Sequence, residues 1–286
     1  MGSGVDGEDL RAWIGREQIE HDEACPAVLR RLAALLDCSD EQIRHGAPTP
    51  QGWHAAFFAP LARQSDLSAD GHPKKGAFLP PSAYPRRMFA GRRISFLAPI
   101  SIGAQLKRTS RIAAISEKQG RSGALMIVEV DHLIEADGVV CVRETHDIFY
   151  RAEAASQAPE TPALVQTRSA DARETFSADE ALLFRYSAVT FNAHRIHYDH
   201  AYAAKTEGYP ALVVNGGLIA LKLCEHAKAQ LGAQTLKTLK VRHRAPFFVN
   251  RVGELASARR EDGALELWAL DERGRVTAEG EAEVAA

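Results

Sequence analysis

Gly216–Leu231, GGLIALKLCEHAKAQL, reads as an apolar helix opened by a glycine pair, and at residues 236–249, LKTLKVRHRAPFFV, the period changes to that of a strand. Three further strand-like segments follow it: GELASARRE (253–261), ALELWALDE (264–272) and RVTAEGEAEV (275–284). One long apolar helix with a set of antiparallel strands to wrap it is the element pattern on which the fold turns.

The same design stands earlier in the chain. Strand-like RRISFLAPI (92–100), SRIAAISEK (110–118), ALMIVEVDHLI (124–134) and VVCVRETHDIFYR (139–151) are separated by turns at GRSG and EADG, and CPAVLRRLAALLD (25–37) supplies a helix with proline in its first turn. Ala98-Pro99 recurs 147 positions later as Ala245-Pro246, and the Gly-Ala-Leu at Gly123 recurs 140 later at Gly263. Order and spacing agree, so we read a duplication: two antiparallel sheets of one design, each with a helical segment. A sheet wrapped on one helix is the hotdog arrangement, and two copies make an α+β double hotdog. An α+β protein with one long continuous sheet is the alternative.

The chain has 286 residues, 45% of them hydrophobic and 25% charged, with a formal net charge of −2. That balance gives no electrostatic reason to expect nucleic acid or an anionic membrane as partner and points to a small-molecule or protein ligand. Cys25, Cys38, Cys141 and Cys224 lie far apart without a CxxC pair, which indicates core thiols in a reducing compartment. The start, MGSGVDGEDLRAW, lacks the basic and apolar runs of a signal peptide, and no stretch reaches the roughly 18 apolar residues of a membrane span. A cytoplasmic location is the expectation.

Within the first design, between its helix and its strands, residues 47–90 are rich in proline, glycine and aromatics, which predicts an ordered loop region packed over something. Residues 152–176 read as a linker. After FSADEALLFRYSAVT, of which FRYSAVT looks strand-like, comes TFNAHRIHYDH at residues 190–200, and some fifteen residues on, VVNGGL opens the apolar helix. Unpaired amides at a helix N-terminus can hold a developing oxyanion while a nearby imidazole moves a proton. Three other readings stand beside that one. His194 and His197 with Asp199 or His200 could ligate zinc, though Arg195 puts a cation in their midst. Tyr198 and Asp199 could cap or pack the turn, and the glycine pair could serve close helix-to-sheet packing. A phosphate cradle is excluded, because neither GxGxxG nor GK[ST] is present.

Residues 192–199, NAHRIHYD, with the later NGGL, resemble the MaoC-type hydratase motif, Asp-x-Asn-Pro-Ile-His followed by His-Gly-Met at the start of the central helix. YSAVTFNAHRIHYDHAYA, with upstream HPKKGAFLPPSAYPRRMFAG and EKQGRSGALMIVEV, is similar to the fungal-type hydroxyacyl-thioester dehydratases and to the mesaconyl-C(4)-CoA and itaconyl-CoA hydratases. The resemblance runs from Trp13 to the last strand. It implies a degenerate N-terminal hotdog over 1–155, a linker over 156–175 and a catalytic hotdog over 176–286.

The resemblance also implies roles. His197 matches the histidine that polarises or deprotonates the water, and Gly216 the glycine whose amide binds the thioester oxygen, with Gly217 in place of methionine. Asn192 stands where the wider family has aspartate; an amide can orient water but cannot take its proton. Catalytic candidates are therefore His197, Asn192 and Gly216. Substrate-binding candidates are Gly217, Asn215, Tyr186, His194, Arg86 and Arg87, the two arginines, with Lys74 and Lys75, for coenzyme A phosphates or a substrate carboxylate. The implied partner is an acyl-CoA substrate, with no metal or redox cofactor, and the chain is expected as a homodimer or monomer.

The leading expectation is a lyase that reversibly hydrates a 2-enoyl-CoA, in particular mesaconyl- or itaconyl-CoA to citramalyl-CoA. A 3-hydroxyacyl-thioester dehydratase of fatty-acid metabolism, a thioester hydrolase and a non-catalytic acyl-CoA-binding protein remain as alternatives.

Overall fold

The computed structural model describes residues 10–82, 84, 86–120, 123–151 and 169–285. Its strands are β1 (Glu17–Glu23), β2 (Arg86–Phe96), β3 (Gln105–Gly120), β4 (Gly123–Ala136), β5 (Val139–Arg151), β6 (Ala172–Phe176), β7 (Leu236–His243), β8 (Gly253–Arg259), β9 (Leu265–Leu270) and β10 (Val276–Val284). They form one antiparallel sheet in the order β1-β3-β4-β5-β2-β7-β10-β9-β8-β6. Read inward from either end, each half places its strands in the same sequence. β2 and β7 meet at the seam, from Gly91 opposite Arg242 to Ser95 opposite Thr238.

The repeated sequences fall at equivalent places in the two halves. Ala98-Pro99 and Ala245-Pro246 lie just beyond β2 and β7, and Gly-Ala-Leu leads into β4 and β9. The fold is the α+β double hotdog, its two sheets continuing into one across β2 and β7.

The helices are α1 (Pro26–Leu35), α2 (Glu180–Val189), α3 (His200–Lys205) and α4 (Gly216–Leu231). α4 packs on β7, β8, β9 and β10, with Leu218, Ile219, Leu223, Cys224, Ala227 and Leu231 among its buried side chains. Each such leucine or isoleucine stabilises the fold by about 1.5–3 kcal/mol relative to exposure. α1 buries Leu29, Leu32, Ala33 and Leu35 but packs against α2 and a 3-10 turn at Trp53–Ala56.

Two local expectations are corrected and one strand is added. FRYSAVT is not a strand: it lies in α2, which Asp179 caps by accepting the Leu182 amide at 2.7 Å, ahead of the helix-forming run Glu-Ala-Leu-Leu. The end of the expected linker pairs with β8 as β6, and β1, whose EQIEHDE is too polar to stand out, is an edge strand on β3. Residues 152–168, which hold most of the linker, and 121–122 of the GRSG turn lie outside the described residues. At EADG, Asp137 and Gly138 both take positive φ, 47° and 82°, as a two-residue hairpin requires.

The loop region before β2 is fastened across to the second half. Gln51 exchanges two 2.8 Å hydrogen bonds with the Leu236 backbone, and the Trp53 indole N–H donates to Glu225 of α4 at 2.7 Å.

Candidate active site

The motif is set by two backbone hydrogen bonds and two that involve a side chain. The Asn192 N–H donates to Ser187 O in α2 at 2.8 Å, and Asn192 Oδ1 accepts the His194 N–H at 3.0 Å, an Asx turn that starts the 3-10 turn Arg195–His197. The Val213 N–H then donates to Ile196 O at 3.0 Å, and His197 Nδ1 contacts Val213 O at 2.7 Å. The turn is thereby zipped onto the segment that leads, three residues later, into α4.

That last contact fixes a tautomer. A carbonyl oxygen can only accept, so Nδ1 of His197 carries the hydrogen and Nε2 keeps its lone pair. Burial, opposed by the Val213 bond, brings the His197 pKa down to about 4, so the ring is neutral at pH 7 with a proton acceptor available.

At the start of α4 the first intrahelical bond runs from Ile219 N to Asn215 O, and Asn215 gives no side-chain cap. The N–H groups of Gly216, Gly217 and Leu218 therefore precede the ladder. Space is short at both glycines and shorter at the second: a Cβ on Gly217 would stand 2.4 Å from the Tyr186 hydroxyl, and one on Gly216 would make a tight contact of 3.1 Å with His243 Nε2. Burial pushes Tyr186 up to about 12, which keeps it a neutral phenol. Asn215 Oδ1 and His243 Nε2 are buried without a hydrogen-bond partner among the described residues. Three amide donors, a phenol, the unused acceptor Asn215 Oδ1 and an unpartnered ring nitrogen of His243 thus surround one helix end.

The N-terminal half contributes the remainder. Asp70 and His72 lie against the motif: Asp70 Oδ2 is 3.0 Å from His72 Nδ1, and the His72 ring lies 4.1 Å from that of His194, itself 5.4 Å from His197. Burial raises the Asp70 pKa, but the hydrogen bonds from His72 outweigh it and carry the carboxyl down to about 2. Burial, then the nearby His72 and His197, take His194 down to about 2. Arg195 ties the two pieces together, its N–H donating to Asp70 O at 2.9 Å and its guanidinium to Ala69 O at 3.0 Å.

The two candidate arginines separate. Arg86 donates to the Glu207 carboxylate at 2.7 Å and the Glu207 carbonyl at 2.8 Å and lies over Tyr209, so it is a structural tie. Arg87 is half-buried, has no ion pair among the described residues, and its charge lowers the pKa of both His72 and His194. Lys74 and Lys75 brace their own loop, donating to Ser65 O at 2.8 Å and Tyr84 O at 2.6 Å.

Asp199 accepts from Arg195 at 2.7 Å and caps α3 through the Tyr202 N–H, so the capping reading of that residue holds and it does not join the histidines as a metal ligand. The group that could meet a cation is instead Asp70, His72 and His194, whose ligand atoms lie within 4.8 Å of one another. That spread is wider than the ~3.3 Å edges set by zinc bonds of about 2.0–2.1 Å, and Asp70 and His72 already satisfy each other.

Of the residues singled out from sequence, His197, Tyr186, Asn215, Gly216 and Gly217 gather around the α4 terminus, and His194 stands beside His197. Asn192 is engaged in its turn through the oxygen that was expected to orient water. Asp70, His72 and His243 went unrecognised. The run HPKKGAFLPP drew attention to its lysines, whereas the useful signal was Asp-Gly-His, a carboxylate and an imidazole around a residue free to turn sharply.

Comparison with known proteins gives three results. The family described as hydroxyacyl-thioester dehydratase type 2 matches residues 52–249. A mesaconyl-C(4)-CoA hydratase of Chloroflexus aurantiacus is 43% identical over 240 residues, 84% of this chain and 85% of the relative, and the mitochondrial hydroxyacyl-thioester dehydratase type 2 of Schizosaccharomyces pombe is 24% identical over 230 residues, 70% and 74%. Among solved structures, a MaoC-like dehydratase from Phytophthora capsici superposes with a TM-score of 0.69 over 95% of both chains at 19% identity, a likeness of fold.

Proposed function

The chain belongs to the hydroxyacyl-thioester dehydratase type 2 family, and from that premise we propose that it hydrates a short, branched dicarboxylic 2-enoyl-CoA, mesaconyl-C(4)-CoA, reversibly to citramalyl-CoA; itaconyl-CoA, whose double bond is not conjugated with the thioester, does not fit the step below. In general terms it is a hydratase/dehydratase of acyl-CoA thioesters. The observation that carries the mechanism is the His197 tautomer. With Nδ1–H held by Val213 O, the lone pair of Nε2 receives a proton from water as the water oxygen bonds to C3 of the enoyl group. The displaced electron pair moves onto the thioester oxygen, where the amides at Gly216 and Gly217 hold it, and the proton passes from His197 to C2. A proton moves and no electrons leave the substrate, so the reaction calls for no redox cofactor.

Two observations support the dicarboxylic substrate: the name of the 43% identical relative and the guanidinium of Arg87, which has no ion pair among the described residues and suits a carboxylate at the far end of a short acyl group. A straight-chain 3-hydroxyacyl thioester is the second reading, favoured by the name of the family itself.

The test is to follow the conjugated enoyl thioester by ultraviolet absorbance on mixing the protein with citramalyl-CoA, and separately with a straight-chain 3-hydroxyacyl-CoA, with His197→Ala as control. Turnover of citramalyl-CoA alone supports the proposal. Turnover of the straight chain alone keeps the mechanism and replaces the substrate, silence on both favours an acyl-CoA-binding role, and full activity in His197→Ala removes that residue from the chemistry.

A further inference from the structure

We propose that His72, held by Asp70, is a further catalytic group of this site: the second acceptor on the attacking water, contributed by the N-terminal half where the motif itself has Asn192 instead of a carboxylate. The inference rests on the hydratase reading above.

A water molecule has two O–H bonds. Anchoring both aims an oxygen lone pair at C3, whereas anchoring one leaves the molecule free to swing. His197 Nε2 is one acceptor. Asn192 is poorly placed to be the other, because its Oδ1 already accepts the His194 N–H.

His72 meets the requirement. The Asp70 carboxyl is ionised and can only accept, so the 3.0 Å contact places the hydrogen on His72 Nδ1 and leaves Nε2 with its lone pair. Val213 O and Asp70 Oδ2 therefore fix the same tautomer on two different histidines. His194 touches both rings, its own 4.1 Å from that of His72 and 5.4 Å from that of His197, and no hydrogen bond to either of its ring nitrogens sets a tautomer among the described residues. The charge state of His72 is felt at His197, whose pKa it lowers.

The loop that carries the pair is locked to the motif. The Arg195 N–H and guanidinium hold Asp70 O and Ala69 O, and Gly71, at φ +90°, packs its Cα against the Ala193 carbonyl. Asp70 and His72 are both only 19% exposed in their side chains.

In the step itself the water oxygen bonds to C3, and one hydrogen passes through His197 Nε2 to C2. The other stays on the new hydroxyl, hydrogen-bonded to His72 Nε2 throughout. The electron pair of the C2–C3 π bond ends in the new C2–H bond, and no further reactant is consumed.

The experiment compares wild type, His72→Ala, His72→Gln, Asp70→Asn and His197→Ala on whichever thioester the wild type turns over, with melting curves, zinc content and added imidazole. His72→Ala is expected to lose roughly a hundredfold in kcat, the scale of a positioned base. Its KM should stay within about threefold, and exogenous imidazole should restore part of the rate. Asp70→Asn is expected to lose at least about tenfold, since an amide can turn the ring to the other tautomer. Wild-type kcat in His72→Ala while His197→Ala is inactive overturns the proposal. So does a loss without imidazole rescue that tracks a lowered melting temperature in every His72 variant. Zinc bound by wild type and absent from His72→Ala would assign the cluster to a metal instead. A wild type silent on every thioester brings down the hydratase reading, and this inference with it.

Discussion

A Cβ on Gly71 would stand 1.8 Å from the carbonyl oxygen of Ala193, so the loop of the first half and the motif of the second touch backbone to backbone. No side chain fits there, and φ +90° is a conformation that residues with a Cβ avoid. Gly71→Ala must push Asp70 and His72 away from His194. The loop lies on the surface of the core, so the change is expected to reduce kcat more than tenfold while lowering unfolding free energy by only about 1–3 kcal/mol. Steady-state kinetics beside urea unfolding would check this, and wild-type kcat in Gly71→Ala would show that the loop's placement is irrelevant to the chemistry.

Acid should destabilise the protein through its buried imidazoles. His197 and His243 are both brought down to about 4, each chiefly by burial, whereas a histidine in the unfolded chain titrates near 6.5. The unfolded state therefore binds protons between pH 6.5 and 4 that the folded state refuses. The stability this represents is fully present above pH 6.5 and lost as pH falls towards 4, amounting to about 3 kcal/mol for each group. Urea midpoints are expected to fall steadily across that window, and His243→Gln should flatten the slope by up to about one proton. Midpoints independent of pH from 6.5 to 4.5 would contradict the buried, neutral assignment.

The two glycines that open α4 should differ in sensitivity. Gly217→Ala drives a methyl to within 2.4 Å of the Tyr186 hydroxyl, in a buried place where the ring has little freedom, whereas the Gly216 methyl meets His243 Nε2 at 3.1 Å. Gly217→Ala is expected to cost about 1–3 kcal/mol, and Gly216→Ala less. Tyr186→Phe removes the colliding oxygen, so Gly217→Ala made in that background should cost measurably less than in wild type. Additive unfolding free energies in the double variant would sever the link between these residues.

Much of this was legible in the sequence because the strands announce themselves. The repeated Ala-Pro falls just past equivalent strands and Gly-Ala-Leu leads into equivalent strands, and the helix drawn from GGLIALKLCEHAKAQL has the ends the structure shows. What escaped was whatever depends on a partner elsewhere. β1 alternates among polar residues and makes sense only beside β3, and FRYSAV was separated from the Asp179 cap that makes it helical. The site divides similarly. Residues close to the motif or the helix start could be read locally, but Asp70 and His72 lie more than 100 positions before His194 and are joined to it only by folding.

Arg87 and Arg86 offer a paired test of substrate and structure. Arg87 has no ion pair among the described residues, and its charge reaches His72 and His194. Arg87→Met is expected to raise KM for citramalyl-CoA at least about tenfold, the loss of a guanidinium–carboxylate contact, while leaving any residual straight-chain activity unchanged. Arg86→Met strands the Glu207 carboxylate, half-buried beside Tyr202 and Tyr209, and should instead lower stability by about 1–3 kcal/mol. Equal effects of both substitutions on KM and melting would remove the distinction.

The first half also holds a chain of buried polar groups whose directions follow from one charge. Burial raises the Glu144 pKa, but Arg92 and then His146 outweigh it, and the carboxylate stays ionised. It therefore accepts from His54 Nε2 at 3.2 Å and from His146 Nε2 at 2.7 Å, with Arg92 Nε 3.1 Å away. With its hydrogen on Nε2, neutral His146 can only accept at Nδ1, so His132 donates from Nε2 at 3.1 Å and receives the Ser110 hydroxyl at Nδ1 at 2.8 Å. Five side chains from β3, β4, β5 and the Trp53–Ala56 turn are satisfied in a single sense. Glu144→Gln reverses it, because an amide presents one oxygen and one N–H to two N–H donors and leaves Arg92 buried without a counter-charge. The expected loss is about 3–5 kcal/mol of unfolding free energy, measured by urea denaturation at pH 7. A variant within about 1 kcal/mol of wild type would mean that the chain of hydrogen bonds does not depend on the Glu144 charge.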